Sequence, residues 1–145
     1  MGDSSITVGM NYTYGKNGFD KNLPEGVKYL RMAAERGYAK AQNQLGYMYD
    51  NGEGVPRDMK KAFDLYMQAA VQGLARAQYN VGNKCCFGRG VDKDVNQSFI
   101  WYKKAADQGH TDAQFRLGKI VDVFIIDVQY VHFYIYNNRI SIPQG

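Results

Sequence analysis

An all-α solenoid, a stack of helical hairpins running into an irregular hydrophobic tail, is the fold this amino-acid sequence predicts. The first observation is periodic. Ala33-Ala34, Ala69-Ala70 and Ala105-Ala106 recur every 36 residues, and each pair is followed by a glycine, at Gly37, Gly73 and Gly109. The register continues through Ala41-Gln42, Ala77-Gln78, Ala113-Gln114 and then Gly46, Gly82, Gly118, so six columns are identical in three copies. A unit of this length buries its apolar face by stacking on copies of itself. The second observation is compositional. With 145 residues, 45% hydrophobic and 22% charged, the chain has room for one domain or a short array, and neither disorder nor a fibrous fold fits.

The elements follow in order. Val8-Gly9, Tyr12 and Gly15 resemble the end of a second helix displaced by one residue, so residues 1–21 read as a degenerate half repeat, the chain starting inside a unit. Repeat 1 takes 22–57, repeat 2 takes 58–93, and a truncated repeat 3 takes 94–120. Each opens with a first helix, about 23–36, 59–72 and 95–108, behind Asn22, Asp58 and Asp94. Those side-chain oxygens can accept from the free N–H groups of the first turn, and Asn22 with Glu25 and Asp94 with Gln97 have capping-box spacing. Gly37, Gly73 and Gly109 end the first helices. Second helices follow over about 40–50, 76–87 and 112–120 or beyond, the first two closing at Gly52 and Gly88. In the middle unit Ala62, Phe63, Tyr66, Ala69 and Ala70 share one helical face. Small columns admit close helix approach, and the Phe and Tyr columns fill the gap to the next hairpin.

After Gly118 the register is lost. Glycines are due near 124 and 126 and a cap near 130, where Phe124, Ile126 and Tyr130 stand. Residues 121–145 form a hydrophobic non-repeat tail. Asp122 and Asp127 argue against a membrane span, which needs about 18 or more largely uncharged residues. The tail reads as an extended helix or hairpin capping the last repeat, as a binding appendage, or as translated non-coding sequence, since Ile, Phe, Tyr and Asn have AT-rich codons.

Leu45-Gly46, Tyr49, Gly52, Gly54-Val55, Asp58, Ala62, Tyr66, Ala69-Ala70, Gly73 and Ala77-Gln78 together resemble the Sel-one-like repeat, a relative of the tetratricopeptide repeat. The resemblance covers about 22–118, roughly two thirds of the chain. It implies a right-handed tetratricopeptide-like superhelix whose first helices line a concave surface. It also implies a non-enzymatic adaptor or scaffold in signalling or quality-control assemblies, beside a kinase or other catalytic partner. A cysteine-rich, exported, penicillin-binding subset of the family implies an alternative, a β-lactamase-like hydrolase with a disulfide clasping each hairpin. This chain lacks the cysteine pair in every unit and a readable signal peptide.

Two adjacent cysteines, Cys85 and Cys86, cannot build a disulfide framework, which points to a reducing compartment and a cytoplasmic location. The N-terminus begins like a myristoylation site, but Ile6 stands where that pattern wants Ser or Thr, and no lipid anchor is expected. Gly52-Glu53-Gly54 and Gly88-Arg89-Gly90 read as turns, not as a phosphate-binding loop, because they follow helices and lack the Lys-Ser/Thr. His110 and His132 are outside metal spacing. Neither a catalytic constellation, a metal site nor a cofactor is expected. A net charge of +4 is mild, and Lys60-Lys61 and Lys103-Lys104 fall in different columns, so no basic track and no nucleic-acid partner is expected.

What remains is a surface for a protein or peptide. On the first helices the varying columns are Lys28, Asp64, Ile100; then Arg31, Met67, Lys103; then Glu35, Val71, Asp107. Members of each helix are three or four residues apart and form a stripe, and stacking sets the stripes side by side. On a concave face they would present mixed charge around apolar Met67, Val71 and Ile100, as a peptide or helix groove does. The alternative is a solvated face that varies without selecting a partner.

Overall fold

A computed structural model describes residues 3–138. Met1-Gly2, where the lipidation pattern begins, and residues 139–145 of the tail lie outside the described residues. Seven helices follow one another: α1 (Ser4–Tyr14), α2 (Leu23–Glu35), α3 (Ala39–Asn51), α4 (Met59–Val71), α5 (Ala75–Phe87), α6 (Val95–Asp107) and α7 (Thr111–Asn138). Among the described residues there is no strand. Every extensive interface joins two consecutive helices, the one-dimensional packing of a solenoid.

Local chemistry sets the ends of the helices. Asn22, Asp58 and Asp94 each accept from the backbone N–H three residues on, at 3.2, 3.0 and 3.0 Å. The same residues donate their own N–H to Tyr12, Tyr49 and Cys85 at 2.8, 2.9 and 2.8 Å, which ties each first helix to the end of the helix before it. Gly52 and Gly88 stop α3 and α5 in the left-handed region, at φ 69° and 63°, where a Cβ would be strained. The loop between α1 and α2 spans 15–22, one residue more than 52–58 and 88–94. That extra residue produces the one-place displacement of the first half repeat.

Glutamine explains its own column. Gln42, Gln78 and Gln114 donate Nε2 to the carbonyls of Ala34, Ala70 and Ala106 at 3.3, 3.2 and 3.2 Å. Those carbonyls belong to the last turns of the first helices, where intrahelical donors run out. Gln72 and Gln108 extend the chain of bonds, each donating to the Oε1 of Gln42 or Gln78 at 2.8 Å.

Close contacts join a second helix to the following first helix, and the glycine column admits them. A Cβ on Gly46 would stand 2.9 Å from the Tyr66 ring, and one on Gly82 would stand 2.6 Å from the Tyr102 ring. Leu30, Met48, Val81 and Tyr102 are fully buried, each worth roughly 1.5–3 kcal/mol in removed apolar surface.

In α7 the pattern ends and the helix does not. The tail continues as helix to Asn138, the extended-helix alternative, because Phe124 stands where Gly52 and Gly88 stop the earlier copies. From Val121 onward every described side chain is exposed, so none of these covers the last hairpin. Among the described residues no helix is long and apolar enough to cross a membrane.

Candidate protein-binding groove

The nine residues expected to form the stripe sit on α2, α4 and α6. Eight are exposed, and Met67 is half-buried against the core. Local partners hold several of the charges. Lys28 lies 3.9 Å from Glu25, Asp64 3.4 Å from Lys60, and Lys103 2.8 Å from Asp107. Exposed pairs of this spacing contribute only about 0.3–0.5 kcal/mol each, but they weaken the field that the stripe offers a partner.

Arg31, Glu35 and Asp64 come together on one groove of about 380 Å³ between α2, α3 and α4. Lys28, Met67, Val71, Ile100, Lys103 and Asp107 are not part of its lining. Ala34, Leu45 and Leu65 supply apolar surface, and Tyr49 links the two walls. Arg31 donates to the Tyr49 hydroxyl at 3.1 Å, while the Lys61 ammonium sits 4.9 Å from the centre of the same ring. An apolar floor between two cations and two carboxylates can seat an apolar side chain and pair with charges of either sign beside it.

Two lining residues of this groove were not visible as such in the sequence. Tyr49 reads as a core column, since its counterpart is Cys85, and Lys61 reads as half of a basic pair. Lys60 is spent on Asp64, and Lys104 sits 4.7 Å from the Trp101 ring centre, so the two lysine pairs are divided among separate local contacts.

A second groove, also about 380 Å³, crosses α1, α3, α5 and the start of α7. It is polar and aromatic. Gln44 donates to the Tyr14 hydroxyl at 2.9 Å, Asn80 donates to Asn43 at 3.0 Å, and the Tyr79 ring stacks on His110 at 4.7 Å. Sequence reasoning missed this face because most of its residues lie on the second helices, whereas the varying columns of the stripe belong to the first.

His110 has a structural place. Its Nδ1 accepts from the N–H of Ala113 at 3.2 Å, opening α7 as the carboxylate and amide caps open the first helices. Among the described residues no three His, Cys, Asp or Glu side chains are grouped to hold a metal. Cys85 is buried in the core and free, Cys86 is half-buried and free, and burial pushes the Cys85 thiol up, away from a reactive thiolate.

Similar folds and sequences agree with this geometry. The chain is similar to c5321, a protective antigen of uropathogenic Escherichia coli with an SLR fold, at TM-score 0.79 and 32% identity over 81% of this chain and 25% of that one. A Sel1 repeat protein from Oxalobacter formigenes gives TM-score 0.74 and 40% identity over 80% of this chain and 86% of that one. Helicobacter pylori cysteine rich protein B gives 0.67 and 26% over 79% and 90%.

Among curated proteins, rat DAP3-binding cell death enhancer 1 is 36% identical over 58 residues, 40% of this chain and 11% of its own. The chitin synthase regulator SKT5 of Saccharomyces cerevisiae is 35% identical over 68 residues, 45% of this chain and 10% of its own. The chain thus spans about a tenth of these curated relatives. The Sel1 repeat family model matches residues 8–38, 39–74 and 75–110, each segment running from a second helix through the next first helix. With most of its length matched in three consecutive copies, the chain belongs to the Sel1 repeat family.

Proposed function

We propose that the chain is a non-catalytic interaction module that holds a peptide segment or helix of a partner protein in the groove between α2, α3 and α4. One observation carries the reading: Arg31, Glu35 and Asp64, from columns that vary between repeats, converge over an apolar floor of Ala34, Leu45 and Leu65. The partner's chemistry follows from the lining. It is a segment with an apolar anchor flanked by an acidic group facing Arg31 and Lys61 and a basic group facing Glu35 and Asp64.

Family membership supports an adaptor or scaffold role, and two relatives bear names of proteins that act on another protein, one as a DAP3 binder and one as a chitin synthase regulator. Signalling or quality-control assembly, a kinase or other catalytic partner, and a cytoplasmic setting belong to this proposal. The hydrolase alternative has no support, since Cys85 and Cys86 are both free and no disulfide clasps a hairpin among the described residues.

Panning a random peptide library on the protein tests the reading. Enriched peptides should lose binding to an Arg31→Glu/Lys61→Glu variant and keep it with Lys103→Glu. Peptides indifferent to the groove variant would remove the groove from the function. Met67→Asp is a poor probe, because Met67 packs on the core and its loss confounds binding with folding.

A further inference from the structure

We propose that the second hairpin and the start of α7 carry a site for a phosphate monoester dianion, held by Lys84, Arg89, Arg116 and the amide of Asn83. These four residues line a cavity of about 200 Å³ that shares no lining residue with the peptide groove. That volume exceeds several times the ~30 Å³ share of one water, enough for a tetrahedral anion with some of its hydration.

Lys84 is the anchor of the site. Its side chain is 6% exposed, and it occupies the column in which the preceding hairpin buries Met48 completely. Methionine therefore satisfies the packing, and an ammonium there carries a desolvation cost that the scaffold does not require. Asp50 accepts from the ammonium, and it is the one acceptor found among the described residues. An ammonium has three donors, so Lys84 keeps donors for the cavity it lines.

The guanidiniums of Arg89 and Arg116 lie 5.4 and 5.5 Å from the centre of the Phe87 ring, which lines the cavity with them. Among the described residues neither is paired with a carboxylate. Asn83 accepts from the Tyr102 hydroxyl through Oδ1 at 2.6 Å, which leaves its NH2 to donate. Three cations against the single carboxylate of Asp50 give the cavity an excess of two positive charges. A phosphate monoester carries about −1.5 to −2 at neutral pH, and planar guanidinium forks match its oxygens.

Titration of the isotope-labelled protein with inorganic phosphate and with O-phosphoserine at low ionic strength, followed by amide NMR, tests the site. Saturable shifts are expected around residues 80–89 and 116. Arg89→Ala and Arg116→Ala, checked for unchanged helicity, should each weaken binding roughly ten-fold. Lys84→Met should abolish it while melting no lower than the parent, because the Met48 column shows that the hairpin accommodates methionine. Lys28→Ala should change nothing. Tighter binding of phosphoserine identifies a phosphorylated protein as the source, and tighter binding of inorganic phosphate identifies the free ion; the site stands in both cases. Absence of saturable shifts, equal binding of acetate, or indifference to both arginine variants overturns it.

Discussion

Gly82 and Gly118 occupy the same column of the repeat and meet opposite surroundings. The Tyr102 ring presses on Gly82, whereas nothing lies within 4 Å of a Cβ built on Gly118. The difference is the presence of a following first helix. Where one arrives, an alanine-and-glycine surface is covered by an aromatic ring and the contact becomes core. At α7 none arrives among the described residues, so the same column is an exposed helix surface. Repeat chemistry thus acquires its energetic meaning only from the next copy, as expected when stability is a sum of units and their interfaces.

The comparison breaks first at the aromatic column. Tyr102→Ala should cost about 3–5 kcal/mol in urea unfolding, as large aromatic truncations in cores do, while Tyr136→Ala, at 79% exposure, should stay within about 0.5 kcal/mol of the parent. Similar costs at the two sites would mean that α7 is covered in solution. Next come the glycines. Gly82→Ala forces the Tyr102 ring to move and should cost about 1–3 kcal/mol; Gly118→Ala should be neutral or stabilise by up to about 1 kcal/mol through helix propensity.

Third, Gln78→Ala removes one donor from the Ala70 carbonyl and one acceptor from the Gln108 amide, each of which keeps a Gly73 backbone partner, and should cost about 0.5–1.5 kcal/mol, whereas Gln114→Ala, exposed at the open end, should cost less than half as much. Equal values would show that the glutamine ladder contributes alike at covered and uncovered ends. The smallest effect is at the other terminus. The Ser5 backbone N–H holds the Asp3 carboxyl below its ordinary value of 3.8, and Arg36 adds to the effect. A carboxyl depressed by folding stabilises above the unfolded pKa and loses that contribution as pH falls through the folded one. Protection of the α1 amides, taken relative to the intrinsic exchange rate at each pH, should therefore fall selectively on acidification below about pH 4, with α5 unaffected; a parallel fall in both would remove Asp3 as the cause.

Much of the fold was legible because its signals are local. Asn22, Asp58 and Asp94 cap from three residues away, Gly52 and Gly88 stop helices by their own backbone, and the alanine columns need only their neighbours' size. The lysine and aspartate neighbours on the stripe were equally readable, since three- or four-residue spacing brings them together on any helix. The groove was less so. Arg31, Glu35 and Asp64 stand in columns that vary, but the spacing of the other six says nothing of Met67 turning to the core or of Ile100 and Val71 lying outside the cavity.

Short-range chemistry, repeated in register, thus dictated where helices begin, end and stack. Which side chains from different repeats share one cavity was decided by tertiary packing alone. Arg31 meets Tyr49 across 18 residues and Lys84 meets Asp50 across 34. Such meetings depend on interhelical distances and rotations that no column of the alignment encodes, because they arise from the volumes of all the side chains between the helices at once.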